Sequence, residues 1–61
     1  MDYQLFIKEI FKMTNINLGL YKEKQMKRRI DSLIKKNKFS EYNEYVESLK
    51  IDKILFNEFI N

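Results

Sequence analysis

The sequence predicts an all-α domain of about four helices, on three observations. Proline is absent, glycine occurs once (Gly19), and apolar residues recur at spacings of three and four along most of the chain. Proline and glycine are the residues that most often punctuate a helix, and the three-and-four spacing lines one face of a 3.6-residue helix. With 61 residues the chain makes a single domain spanning 1–61, since a chain this short buries only about 60% of the surface it exposes when unfolded.

The first helix is expected over 2–13. Asp2 offers a carboxylate to the free amides of the first turn, and Tyr3, Phe6, Ile7, Ile10 and Phe11 form one apolar stripe. Asn15, which tolerates a left-handed backbone, ends it, and Ile16 and Leu18 are expected to tuck back beneath. A longer helix is expected over 20–37, buried through Met26, Ile30, Leu33 and Ile34. Ser40 is the expected N-cap of a third helix over 40–49, with Glu41 and Glu44 near its positive end and Tyr42, Tyr45, Val46 and Leu49 as its apolar side. Asp52 caps a fourth over 52–60, where Ile51 is placed to staple against Phe56 and Leu55, Phe56, Phe59 and Ile60 face inward. The pattern stops at Asn61 without a helix-ending signal, and the expectation is that a further segment packs there in a longer protein.

The inventory excludes several chemistries. Cysteine and histidine are both absent, which removes thiol catalysis, disulfides, zinc fingers and imidazole acid–base work. One glycine cannot build a phosphate-cradling loop. Glu41, Glu44 and Glu47 lie at helical spacing without the Asp/Asn/Gly loop of a calcium site, so they are read as a solvated helix face and no metal is expected. No apolar run approaches the roughly 18 residues of a membrane span, and no signal peptide opens the chain; a cytoplasmic location without membrane insertion is expected.

Charge is distributed unevenly. Residues 22–38 hold eight basic side chains (Lys22, Lys24, Lys27, Arg28, Arg29, Lys35, Lys36 and Lys38) against Glu23 and Asp31, a local net charge of +6, whereas 39–61 carry −3 and the whole chain +3. At 100° per residue with Met26 at zero, Lys22, Arg29 and Lys36 share an edge beside the core stripe, while Lys24, Arg28 and Lys35 cluster on the far side at about 160–200°. A lysine-rich face is most simply a solvated one, but a like-charged cluster costs stability through self-repulsion, which invites a functional explanation: an acidic partner helix, a phosphate backbone or anionic lipid. Residues 22–38 contain no aromatic side chain, and single-strand binders interleave aromatics with cations, so nucleic acid is the lesser alternative.

The ordered series Thr14-Asn15-Ile16-Asn17-Leu18, Tyr21-Lys22, Met26, Arg29-Ile30, then Phe39-Ser40-Glu41-Tyr42 with Tyr45, Leu49 and Phe59-Ile60-Asn61 resembles the N-terminal domain of CheR-type chemotaxis receptor methyltransferases over nearly the whole chain. Asn15 stands where the family usually has glycine, and Ser32 and Leu33 stand where some relatives carry arginines. The resemblance implies a parent enzyme that transfers a methyl group from S-adenosylmethionine to glutamate side chains on the cytoplasmic helices of chemoreceptors. It places the catalytic, cofactor-binding domain downstream and no catalytic or cofactor site in this segment. It also implies that the basic second helix faces the acidic receptor helices. Lys22, Arg28, Arg29, Lys35 and Lys36 are the expected partner-binding residues, Arg29 first among them because a guanidinium can hold a carboxylate through two hydrogen bonds. The alternative is a stand-alone basic helical module that binds nucleic acid.

Overall fold

The computed structural model describes all of residues 1–61 and contains four α-helices and one 3-10 turn: α1 (Tyr3–Thr14), η1 (Leu18–Leu20), α2 (Glu23–Lys36), α3 (Tyr42–Ile51) and α4 (Lys53–Ile60). The Asp2 carboxylate caps α1 by accepting from the Leu5 amide at 2.9 Å. Asn15 closes the helix in the left-handed region at φ 63°, its amide donating to the Phe11 carbonyl. Asp52 caps α4, accepting from the Ile54 and Leu55 amides at 3.0 and 3.1 Å. A single residue thus turns the chain between α3 and α4.

The core gathers one face of every helix. Phe6 and Ile10 of α1, Ile30 of α2, and Tyr45 and Val46 of α3 are fully enclosed, with Leu18, Leu33, Ile34, Leu49, Leu55 and Phe59 around them. Its centre is aromatic. Phe6 stacks on Tyr45 at 6.2 Å, and Phe59 meets both rings edge-on at 6.3 and 6.1 Å. Such pairings contribute about 0.5–1.5 kcal/mol beyond area burial.

Several boundaries and packing expectations are corrected. The second helix begins at Glu23, not near 20, because Leu18–Leu20 form a separate turn in which the Asn17 side chain accepts from the Gly19 amide. That cap passes so close that a Cβ on Gly19 would sit 2.9 Å from the Asn17 side-chain oxygen, so a larger residue there would push the capping side chain aside. Leu18 is buried beneath the turn, but Ile16 is 36% exposed. The third helix begins at Tyr42 and Ser40 is not its cap. The polarity is reversed: the Ser40 amide and hydroxyl both donate back to the Glu44 carboxylate, the amide at 2.7 Å. Phe11 and Ile60 are nearly half exposed, and Ile51 is 87% exposed and staples nothing.

Lys38 also adopts a left-handed backbone, φ 63°. With the Phe39 amide bonded to the Ile34 carbonyl and the Lys38 amide to that of Lys35, the end of α2 has the six-to-one and five-to-two bonds of a glycine-type helix stop, built here on lysine.

Candidate docking surface

Helix α2 presents two chemically different sides besides its buried stripe. On the outward side Lys24, Lys27, Arg28, Asp31, Ser32 and Lys35 line one shallow concavity with no apolar residue in it, and all six are exposed. None of these four cations lies within 4.0 Å of a carboxylate; the ion pairs of the molecule are Lys12–Glu9, Lys36–Glu58, Lys50–Glu9 and Lys50–Glu47. The cations therefore keep their charge for solvent or a partner.

The edge beside the core is occupied by α4. Arg29, expected free for a partner carboxylate, is half-buried and donates through Nη2 to the main-chain carbonyl of Phe59 at 2.7 Å, with a longer contact to that of Glu58 at 3.5 Å. These carbonyls lie in the last turn of α4, where a cation is favourable to the helix dipole. Lys36 pairs with the Glu58 carboxylate, and the Asn37 amide group donates to the same carboxylate at 3.0 Å. The Lys36 hydrogen bond, followed by that of Asn37, holds the Glu58 carboxyl below its ordinary range. Of the five sequence-predicted site residues, Arg29 and Lys36 are thus turned to α4, Arg28 and Lys35 to solvent. Lys22 sits at the N-cap position of α2 and is exposed beside Leu20, Tyr21, Gln25 and Met26. Lys24 and Lys27 complete the outward group beyond the five expected residues; the wheel position of Lys24, beside Arg28 and Lys35, is the sequence signal for it.

Two tyrosines border this helix. The Tyr42 hydroxyl of α3 donates to Asp31 at 3.0 Å; burial, then that hydrogen bond, pushes its pKa up to about 12. The Tyr45 hydroxyl is fully buried without a hydrogen-bond partner, and burial pushes its pKa up to about 12. At neutral pH both phenols are protonated. No group of three or more His, Cys, Asp or Glu side chains gathers to hold a metal ion, and no helix is long and apolar enough to cross a membrane.

The chain matches the CheR methyltransferase all-alpha domain over residues 1–61. It belongs to that family. Two curated relatives are each 43% identical to it over 60 residues, which is 98% of this chain and 23% of theirs: a chemotaxis protein methyltransferase of Listeria monocytogenes and one of Listeria innocua. The chain thus spans about a quarter of the length of the relatives it matches. No solved structure matches it at a significant level. Membership in the CheR all-alpha family agrees with the four-helix architecture.

Proposed function

We propose that this CheR all-alpha domain is the substrate-docking part of a protein-glutamate methyltransferase and that the outward face of α2 meets acidic helices of chemoreceptors. The relatives' printed activity, chemotaxis protein methyltransferase, supports a chemoreceptor as substrate and S-adenosylmethionine as methyl donor for the whole protein, with the chemistry performed by a catalytic domain outside these residues and the whole acting in the cytoplasm. The observation that carries the docking role is the row of unpaired, exposed cations Lys24, Lys27, Arg28 and Lys35 on one side of a helix whose other sides are committed to the core and to α4.

Physically, a fixed positive face opposite a negative helical surface raises the encounter rate and selects orientation, with strong salt dependence. Arg28 supplies the one planar fork on this face, suited to bidentate carboxylate binding, and the lysines supply point charges. Lys22, at the start of α2, extends the positive surface at one end. In this reading Arg29 and Lys36 act indirectly, by fixing α2 against α4.

The test is binding of the 61-residue chain to a soluble cytoplasmic chemoreceptor fragment and, in parallel, to duplex DNA, each at low and high salt. Saturable binding to the receptor fragment that weakens steeply with salt is expected. Tight, salt-sensitive binding to DNA with none to the receptor fragment would overturn the reading in favour of a nucleic-acid module.

A further inference from the structure

The cationic face of α2 contains one acidic residue, and its environment is unusual. Asp31 follows Lys27 and Arg28 by four and three residues and precedes Lys35 by four, the spacings at which oppositely charged side chains on a helix ordinarily pair. It pairs with none of them within 4.0 Å. Its carboxylate instead accepts from the Tyr42 hydroxyl of α3 at 3.0 Å, while the residue remains exposed and lines the same concavity as the cations. A neighbouring helix therefore holds a negative charge in the middle of a positive face without neutralising it.

Position along the axis sharpens the point. At about 1.5 Å per residue, Lys24, Lys27 and Arg28 occupy one end of the face, and Lys35 lies about 10 Å beyond Arg28. Asp31 lies between these two ends. On the helical wheel it falls between Lys27 and Lys35, at about 140° from Met26 against about 100° and 180°, so a partner that touches both ends must pass over it.

We infer, resting on the docking reading above, that Asp31, anchored by Tyr42, is a specificity-determining residue that splits the cationic face into two anion-binding ends. The face then fits an α-helix with acidic side chains about two turns apart and an uncharged or basic residue between them. A helix with an unbroken acidic stripe meets repulsion at Asp31. Discrimination arises from that repulsive element as much as from the attractive ones.

The experiment uses the 61-residue chain and two Ala/Gln-based helical peptides, one with Glu at a position and seven residues later, the other with additional Glu at the three- and four-residue positions between. Binding is read by fluorescence anisotropy at low salt. Simple charge attraction favours the second peptide. The wild-type chain is expected to prefer the first by about threefold, the scale of one exposed charge contact. Asp31→Asn should reverse the order, and Tyr42→Phe, which removes only the hydroxyl, should shrink the preference by freeing Asp31 to pair with Lys27 or Lys35. A wild-type chain that follows the Glu count as Asp31→Asn does overturns the inference and leaves docking intact. Binding of neither peptide by the wild type removes the docking reading and this inference together.

Discussion

Arg29 of α2 and the Phe59 carbonyl of α4 are joined by a 2.7 Å hydrogen bond that commits one of the two guanidinium groups of the basic helix to the protein's own backbone. Arg29→Ala leaves those C-terminal carbonyls without their cation, and a lost hydrogen bond to a charged group predicts destabilisation of about 1–2 kcal/mol. Arg28→Ala, on the outward face, is expected within about 0.5 kcal/mol of wild type. Urea unfolding of the two variants checks the contrast.

The assignment of Arg29 shows where sequence reasoning stops. Its wheel position, about 60° from Met26, placed it beside the core stripe, which is the signal that another helix lies over it. The partner is a backbone carbonyl, however, and no residue pattern announces a carbonyl. The four helices, the Asp2 and Asp52 caps, the Asn15 stop and most core residues were legible because each rests on local periodicity or a side-chain cap. The start of α2 was not, since Tyr21 and Lys22, both helix-compatible residues, are extended between the Leu18–Leu20 turn and Glu23. Ile51 and Phe11 satisfy an apolar pattern at positions the short helices leave uncovered.

The aromatic centre sets the stability of the whole. Phe6 is fully buried and touches the rings of Tyr42, Tyr45 and Phe59. Phe6→Ala is expected to cost about 3–5 kcal/mol, enough to unfold most of so small a domain at 25 °C. Loss of the far-ultraviolet helical signal checks it.

Lys38 points to the opposite intervention. It holds φ 63° where glycine is the usual residue, and a left-handed lysine costs roughly 1 kcal/mol relative to an unstrained position. Lys38→Gly should therefore raise the unfolding midpoint, less the greater entropy glycine gains when unfolded, whereas a helix-interior glycine such as Lys27→Gly should lower it by about 1 kcal/mol.

Acid should loosen the contact between α2 and α4. The Glu58 carboxyl is held below its ordinary range first by the Lys36 hydrogen bond and then by that of Asn37, with the charges of Lys36 and Arg29 adding to the effect. A carboxyl whose pKa is lowered by folding stabilises the fold above its unfolded value, about 4.3 for Glu, and that contribution fades as the pH falls through the folded value. Glu44, lowered first by the Ser40 hydroxyl, behaves the same way at the start of α3. In Lys36→Met the Glu58 titration followed by NMR should move upward while that of Glu44 stays, and Lys35→Met should move neither.

The account is tested most directly by receptor methylation by the full-length enzyme, with kcat/KM measured at two ionic strengths for wild type and for the Arg28→Glu/Lys35→Glu double variant. The two outward charge reversals are predicted to lower kcat/KM about tenfold or more at low salt, to flatten its salt dependence and to leave the unfolding midpoint nearly unchanged. Wild-type kcat/KM and salt dependence in a folded double variant would contradict a docking role for the outward face of α2.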